Sequence, residues 1–264
     1  MGVLNMADDK VAIITGSSSG IGLGVAKAFA DRGYKVALNA RKMTPEVEAI
    51  LEKMRASGGS VIFAQGDMGK PDDIKSMIGG VIEHWGKIDV LVNNAGIQHV
   101  EPIDEFPDDK WDAVLAINLS SAFHTTKAVL PSMKKNGWGR IINMASAHGL
   151  VASAYKSAYV AAKHGIVGFT KVTALETAEL GITANTICPG YVWTPLVEKQ
   201  IPEQAEAHGM SEEQVVRDVL LSNQPNKKFA TVEEIGDTAL FLASDGAASI
   251  TGTTISVDGG WTAR

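Results

Sequence analysis

Tyr159 and Lys163 lie four residues apart in an alanine-rich run that favours a helix. On a helix, side chains at positions i and i+4 share one face, so the ammonium group would lie close to the phenol. A neighbouring positive charge favours the phenolate and lowers the tyrosine pKa from its ordinary value of about 10. The pair could therefore exchange a proton with an alcohol or a carbonyl near neutral pH. The same spacing also arises by chance, so the surrounding motifs decide its meaning.

A glycine-rich turn, Gly16-Ser-Ser-Ser-Gly-Ile-Gly22, follows the first predicted strand and opens the first predicted helix. Glycines in such a turn let backbone N–H groups approach a pyrophosphate, and the helix N-terminus adds its positive end. The spacing differs from the common Gly-x-Gly-x-x-Gly, and a purely structural turn is the alternative. Its place at a strand–helix junction favours dinucleotide binding.

Short apolar runs alternate with longer helical patterns along the chain, and these elements must position both motifs. The runs are continuous rather than alternating, which is typical of parallel strands buried on both faces. The sequence therefore predicts an α/β fold: one Rossmann-type, doubly wound sheet of about seven parallel strands in a single domain, residues 1–264. The predicted strands are Val11–Thr15, Lys35–Asn39, Val61–Gln65, Val90–Asn93, Arg140–Met144, Ile182–Ile187 and Thr253–Val257. The predicted helices are Ile21–Arg32, Pro45–Ala56, Pro71–Trp85, Lys110–Asn136, Ser157–Leu180 and Val232–Ala243.

Residues 191–228 are longer than an ordinary connection between a strand and a helix. Two short helices are predicted there, Glu198–His208 and Ser211–Asn223. The segment follows the carboxyl end of a strand, where such sheets bind ligands, so we expect a lid. A static packing appendage is the alternative.

Composition excludes several classes of function. The chain has 264 residues, 45% of them hydrophobic, and a net charge of −6, which argues against general binding to nucleic acids or anionic membranes. The lone Cys188 permits no intrachain disulfide and reads as a small buried hydrophobe, as in a reducing compartment. No apolar run has the length of a membrane span, residues 1–6 do not read as a signal peptide or myristoylation site, and no metal-ligand spacing occurs. We therefore expect a cytoplasmic protein that needs no metal.

Further motifs follow the predicted strands in a fixed order: Asn93-Asn-Ala-Gly96, Asn118, Ser146, the Tyr159/Lys163 pair, Pro189-Gly190 and Val257-Asp-Gly-Gly260. Together with the glycine-rich turn they resemble the short-chain dehydrogenase/reductase family over nearly the whole chain. The resemblance implies alcohol–carbonyl redox chemistry. It assigns Ser146 to orient the substrate oxygen, Tyr159 to exchange the proton, and Lys163 to lower the Tyr159 pKa and hold the nicotinamide ribose. It assigns Asn118 to anchor a water that connects Lys163 to solvent.

The family also implies a nicotinamide cofactor. Family members that bind NAD usually carry Asp at the end of the second strand, where this chain has Asn39-Ala-Arg41. Asn39 could bond a ribose hydroxyl, whereas Arg41 could clamp the 2′-phosphate of NADP; we expect NAD, because the closest resemblance implies it. The expected cofactor-binding residues are Gly16, Ser17, Ser19, Gly20, Ile21, Gly22, Asn39, Asp67, Met68, Asn94, Ala95, Gly96, Tyr159, Lys163, Pro189, Gly190, Val192 and Thr194.

Two amides, an imidazole and an ammonium lie beside these landmarks, at Gln98, Gln200, His148 and Lys156. Such a donor-rich set suits a carboxylate. The stretches of sequence around these four residues resemble the bacterial D-3-hydroxybutyrate dehydrogenases. In that group the matching residues hold the substrate carboxylate. Tyr191 and Trp193 stand where we expect Trp and Arg in that group, so tolerance for longer 3-hydroxy acids stays open. The expected substrate-binding residues are Gln98, Ser146, His148, Lys156, Tyr159, Tyr191, Gln200 and Trp261, with His99 undecided.

The sequence thus predicts NAD-dependent oxidation of (R)-3-hydroxybutyrate to acetoacetate and the reverse reaction. One alternative is an NADPH-dependent 3-oxoacyl-thioester reductase, or another dehydrogenase acting on a secondary alcohol. A regulatory protein on the same fold is a third, disfavoured because all four catalytic residues remain. The family implies a homotetramer, with helices 110–136 and 157–180 at one interface and the C-terminal strand region at another.

Overall fold

A seven-stranded parallel sheet runs through the centre of the computed structural model, which describes residues 9–263. The strands follow the order β3-β2-β1-β4-β5-β6-β7, so the order reverses beside β1. The prediction of a doubly wound parallel sheet is confirmed. The strands are β1 Val11–Ile14, β2 Lys35–Ala40, β3 Val61–Gln65, β4 Val90–Asn93, β5 Gly139–Met144, β6 Ile182–Pro189 and β7 Thr254–Val257.

Alternate residues of the strands enter two separate apolar layers. Ile14 packs with Phe29 on one face of the sheet, and Ile13 packs with Ile74 and Val129 on the other. All of these side chains are fully buried or nearly so. A sheet covered on both faces explains why the strands read as continuous apolar runs.

Nine α-helices connect the strands within residues 9–263. Their ends follow local signals: Pro45 and Pro71 occupy first-turn positions, Thr231 forms a capping box with Glu234, and Gly86 ends its helix with φ of 80°. The helices are α1 Gly20–Asp31, α2 Pro45–Ala56, α3 Pro71–Trp85, α4 Asp108–Leu115, α5 Ser121–Asn136, α6 Ser157–Thr177, α7 Pro195–His208, α8 Glu212–Gln214 and α9 Val232–Ala243.

The predicted bounds hold within about two residues except in four places. The predicted helix 157–180 ends as an α-helix at Thr177 and continues as a 3-10 turn, Ala178–Leu180. The predicted helix 110–136 contains a π-helical turn, Ala116–Ser120, and the predicted helix 211–223 continues beyond α8 as a second π-helical turn, Val215–Leu220. The predicted helix 198–208 begins earlier, at Pro195, where Thr194 caps it. Sequence periodicity does not distinguish the extra residue of a π turn from an α-helix.

Residues 191–228 leave the sheet after β6 and return before α9. Their side chains form a small apolar cluster around Ile201, Val215 and Leu220, distinct from the two main layers. In the described part of the chain no helix is long and apolar enough to cross a bilayer. The expectation about targeting signals concerns residues 1–6, which lie outside the described residues.

Candidate active site

The glycine-rich turn lies at the carboxyl end of β1, where the strand order reverses. Gly16 and Gly20 have φ of 60° and 51°, values that favour glycine. Asn94, after β4, braces the turn: its side-chain amide donates to the carbonyls of Thr15 and Gly16 at 3.0 and 3.1 Å. A Cβ on Gly22 would lie 2.4 Å from the Asn94 amide nitrogen, so only glycine fits there.

The first turn of α1 offers its N–H groups to a ligand. The side chain of Ser19, the N-cap residue, makes no capping hydrogen bond, and the first N–H groups of a helix have no partner within it. A Cβ added to Gly20 would point into an open gap, with Thr194 as its nearest neighbour at 3.7 Å. Residues 19–22 thus form a cradle that fits the pyrophosphate of a dinucleotide.

Two expected ligands of the cofactor hydrogen-bond within the scaffold. The Asn39 side chain is buried; its oxygen accepts from the Gly16 N–H at 2.9 Å and its amide donates to the carbonyls of Ala64 and Gly66. The Ser17 hydroxyl donates to the Ile14 carbonyl, and its backbone N–H donates to the Asn39 carbonyl. The side-chain atoms of Asn39 thus already hold the turn, and a bond from Asn39 to a ribose hydroxyl stays a prediction.

The adenosine end of the cleft retains other polar groups. Asp67, after β3, is partly exposed, and one of its carboxylate oxygens accepts from the Gly69 N–H. The Met68 side chain is buried in the core, so only its backbone can face a ligand. Arg41 and Lys42 are exposed directly after β2.

Ser146, His148 and Tyr159 come together beyond β5 and at the start of α6. The Ser146 hydroxyl accepts from the His148 backbone N–H at 3.2 Å and lies 3.5 Å from the imidazole Nδ1. The imidazole and Tyr159 rings meet edge to face, with centroids 6.0 Å apart. The structure thus brings together the hydroxyl and the phenol that the sequence places thirteen residues apart.

Burial dominates the electrostatics of Tyr159 and Lys163. Burial raises the Tyr159 pKa above its ordinary value, and only the interaction with the Ser146 hydroxyl lowers it. Burial lowers the Lys163 pKa to about 8. The Lys163 ammonium donates to the Met144 carbonyl at 2.8 Å and lies 5.5 Å from the Tyr159 ring centroid. That Lys163 lowers the Tyr159 pKa stays a prediction.

Asn118 lies in the π-helical turn between α4 and α5. Its side chain is buried and is paired twice with the backbone of Ile97, once as acceptor and once as donor, each at 2.8 Å. A π turn shifts the helical hydrogen bonds and is frequent at functional sites. Asn118 therefore fixes the loop after β4. Its amide has a second N–H group, and the anchoring of a water by Asn118 stays a prediction.

An aromatic wall closes the cleft on the far side of His148. Trp261 packs its ring edge to face against His148 at 5.1 Å and stacks on Tyr191 at 6.0 Å, with planes 9° apart. Phe229 packs against both Tyr191 and Trp193. Two expected substrate-binding residues, Tyr191 and Trp261, thus lie together, and Trp261 contacts a third, His148.

The carboxylate-binding set is only partly assembled. Lys156 is partly buried, and burial lowers its pKa; its charge contributes to lowering the His148 pKa to about 4. Gln98, in the loop after β4, and Gln200, on α7, are exposed. His99 Nε2 lies 3.7 Å from a carboxylate oxygen of Glu101, and the His99 ring packs on Phe106. His99 therefore contacts residues that are close to it in the chain.

Several residues that hold the site together were missed by sequence reasoning. Gln224 is buried, accepts from the Tyr191 N–H at 2.8 Å and donates to the Lys228 carbonyl, which ties both ends of segment 191–228. Asp258 accepts from the Thr262 N–H and hydroxyl and so holds the turn that carries Trp261. Ser153 contacts the His148 Nε2 at 2.8 Å. No motif marks these residues, because their roles come from tertiary contacts.

The remaining expected residues lie at the end of β6 and directly after it. Pro189 ends β6, and the Gly190 N–H donates to the Val257 carbonyl; a Cβ there would meet Gln224 at 2.5 Å. Val192 is buried and pairs with Ala230. Cys188 is fully buried and free, as expected, and burial raises its pKa to about 11.

The chain is similar in sequence to one family model and to several known proteins. The family model described as short chain dehydrogenase matches residues 10–205. The D-beta-hydroxybutyrate dehydrogenase of Rhizobium meliloti is 56% identical over 256 residues, which cover 97% of this chain and 99% of that protein. The protein of that name from Cupriavidus necator is 52% identical, covering 98% of this chain and 100% of its own. A 3-oxoacyl-acyl-carrier-protein reductase from Staphylococcus epidermidis is 36% identical, covering 96% and 98%.

Proposed function

The chain belongs to the short-chain dehydrogenase family, and we propose that it interconverts (R)-3-hydroxybutyrate and acetoacetate with NAD as its cofactor. The relatives from Rhizobium meliloti and Cupriavidus necator carry the name of this activity. The observation that carries the proposal is the position of Lys156. It is a partly buried ammonium one helical turn before Tyr159, on the same side of the cleft as His148.

Lys156 suits a small carboxylate because burial already disfavours its charge. A bound carboxylate would restore that charge with a short, charge-assisted hydrogen bond. Gln98 and Gln200 would add neutral donors from the loop after β4 and from α7, where both side chains are exposed. A carboxylate held there would leave the hydroxyl carbon of a four-carbon acid near Ser146 and Tyr159.

The chemistry divides between the protein and the cofactor. When bound, NAD supplies the acceptor for the hydride that leaves C3 of the substrate. Tyr159, as phenolate, takes the hydroxyl proton, and the Ser146 hydroxyl donates to the same substrate oxygen. Lys163 holds a positive charge beside Tyr159, and Asn118 keeps the loop after β4 in place. In the reverse direction Tyr159 returns the proton to the carbonyl oxygen.

NAD is proposed over NADP on the similarity to the two hydroxybutyrate dehydrogenases. The residues of the turn fit either dinucleotide, because the pyrophosphate cradle is common to both. Asn39 cannot discriminate between them, since its polar atoms hold the turn. Arg41 is the one exposed guanidinium directly after β2, and it favours a second candidate.

That second candidate is an NADPH-dependent 3-oxoacyl-thioester reductase, supported by Arg41 and by the Staphylococcus epidermidis relative. A thioester carries no carboxylate next to the reacting carbon, so Lys156 would have no partner in such a substrate. The two candidates therefore differ in both cofactor and substrate charge.

A panel of substrates and cofactors tests the proposal. We expect NAD to be reduced to NADH rapidly with (R)-3-hydroxybutyrate and slowly with the (S) acid. Reduction of NADP to NADPH with the (R) acid should be slower than reduction of NAD. Tyr159→Phe should lower kcat by about 10³-fold, because it removes the group that moves the proton. Turnover of a 3-oxoacyl thioester with NADPH, without turnover of (R)-3-hydroxybutyrate, would select the second candidate.

The domain organisation, the assembly and the location of the protein are also proposed. We propose one domain over residues 1–264, with 191–228 as its lid, because all seven strands belong to one sheet. A homotetramer is proposed because Phe123 on α5 and Val172 and Leu175 on α6 are exposed. A cytoplasmic location is proposed on the single, unpaired Cys188.

A further inference from the structure

We propose that Tyr155 is a positioning residue: its left-handed backbone conformation, held by a hydrogen bond from the loop after β4, places Lys156 at the substrate cleft. The proposal deepens the proposed function, on which it rests for the role of Lys156. It assigns a task to a backbone conformation that no sequence motif marks.

Tyr155 has a φ of 67°, in the region that favours glycine. Among residues 9–263, two other non-glycine residues have a positive φ, Asp9 and Lys227. Aspartate tolerates this region, and the Lys227 ammonium donates to two carbonyls at the base of segment 191–228. An aromatic residue has no such preference, and Tyr155 is 60% exposed. The surrounding backbone therefore imposes this conformation, and such outliers cluster at functional sites.

One hydrogen bond ties the Tyr155 turn to the opposite side of the cleft. The Tyr155 carbonyl accepts from the backbone N–H of Glu101, in the loop after β4, at 2.9 Å. The same loop is held at Ile97 by a side chain of the π-helical turn. Gln98 lies between these two points of attachment. The bond thus joins the loop that carries Gln98 to the turn that carries Lys156.

The chain is fixed to the core on both sides of this turn. Before it, His148 is buried; after it, Ala158 is fully buried and packs with Val114. Residues 150–157 must bridge these two anchors. Because the anchors are packed in the core, a change of φ at Tyr155 must be taken up within this bridge, and Lys156 is the next residue along it.

Lys156 is the residue that the turn orients. It precedes α6 with φ of −123° and ψ of 36°, and its carbonyl accepts from the Val160 N–H at 2.9 Å. The direction of its side chain therefore depends on α6 on one side and on Tyr155 on the other. Loss of the left-handed turn would redirect the ammonium, whereas Tyr159, inside α6, would keep its place.

A series of substitutions at position 155 tests the proposal. Tyr155→Asn and Tyr155→Gly suit a left-handed backbone and should keep the KM for (R)-3-hydroxybutyrate within about twofold of wild type. Tyr155→Val, branched at Cβ, disfavours that backbone and should raise this KM about tenfold or more, with a smaller change in kcat. Leu150→Val is the matched control, because Leu150 is exposed in the same loop and has a φ of −123°, which valine adopts freely.

The preference for the acid over its methyl ester separates the positioning of Lys156 from a general loss of structure. Tyr155→Val should lose about tenfold of the wild-type preference in kcat/KM and should bind NAD with wild-type affinity in calorimetric titration. An unchanged preference in Tyr155→Val would overturn the proposal. Loss of NAD binding would also overturn it, because the effect would not be confined to Lys156.

The variants that suit the left-handed backbone complete the test. A KM for the acid in Tyr155→Asn as high as in Tyr155→Val would overturn the proposal, because the ring and not the backbone would then matter. Wild type that shows no preference for the acid over the ester would count against the proposed function instead.

Discussion

Burial shifts the pKa of the ionisable groups beside the reacting oxygen. It raises the Tyr159 pKa and lowers the pKa values of Lys156, Lys163 and His148. Each of these groups is therefore less easily charged than in water. Burial of this kind strengthens the interactions of these groups with a charged cofactor and a carboxylate, because water competes less for them.

His148 makes stability depend on pH. Its folded pKa of about 4 lies below the ordinary value of 6.5, so the unfolded chain takes up a proton first as the pH falls. The contribution of His148 to the free energy of unfolding is fully present above pH 6.5 and is lost progressively between pH 6.5 and pH 4. The loss is on the order of 2 kcal/mol.

Urea unfolding of wild type and His148→Gln at several pH values between 4 and 7 measures this effect. His148→Gln should show a smaller decrease in the free energy of unfolding across that range. His84→Gln, which removes an exposed imidazole on α3, is the matched control. Parallel pH profiles for wild type and His148→Gln would contradict the account.

The glycine-rich turn and α1 form one element with β1 because Asn94 clamps the turn from the neighbouring strand. The clamp needs Gly22, whose missing side chain leaves room for the Asn94 amide. Dinucleotide binding and the packing of two strands thus depend on the same few atoms.

Gly22→Ala should weaken NAD binding by about tenfold or more, because the added Cβ displaces Asn94 and opens the turn. Gly79→Ala in α3 is the control: nothing lies within 4 Å of its added Cβ, and it should stabilise the protein by about 0.5 to 1 kcal/mol. Calorimetric titration with NAD and thermal unfolding measure the two effects. Wild-type NAD affinity in Gly22→Ala would rule out this turn as the cradle.

Segment 191–228, the proposed lid, has its own apolar cluster, and Gln224 ties its two ends together. Removing that side chain leaves the Tyr191 N–H and the Lys228 carbonyl without their partner. Such a loss costs about 1 to 3 kcal/mol. Because Tyr191 stacks on Trp261, a looser lid base also loosens the aromatic wall.

Gln224→Ala should therefore raise the KM for the substrate several-fold more than it lowers kcat. The exposed Gln214, which caps α8 within the lid, provides the matched variant Gln214→Ala. Steady-state kinetics on both variants compare the base of segment 191–228 with an exposed position within it. A KM for Gln224→Ala no higher than that of Gln214→Ala would contradict a role of the lid base in substrate binding.

Over the whole molecule, the order of strands and helices was predictable because buried parallel strands and amphipathic helices leave strong periodic patterns. The candidate catalytic residues could be named because the motifs that carry them match those of a family one by one. The sequence could not tell which polar side chains serve the scaffold. Asn39 and Ser17 look like cofactor ligands, and their hydrogen bonds within the turn appear only when β2 lies beside β1.

The outer face of α6 gives a prediction for assembly. Leu175 is 81% exposed and Val172 is 54% exposed, one turn apart, beside a glycine at position 168 with open space above it. Leu175→Glu should lower the molar mass in solution by half or more if this face joins subunits. Light scattering after size-exclusion chromatography measures it, with Lys75→Glu on α3 as the control. An unchanged mass for Leu175→Glu would exclude this face.

The central claim is that the cleft selects a 3-hydroxy acid through its carboxylate. The most direct measurement compares kcat/KM for (R)-3-hydroxybutyrate with kcat/KM for its methyl ester, in wild type and in Lys156→Met. We predict that wild type prefers the acid by about 10²-fold or more and that Lys156→Met loses at least about tenfold of that preference. Equal turnover of ester and acid by wild type would contradict the account.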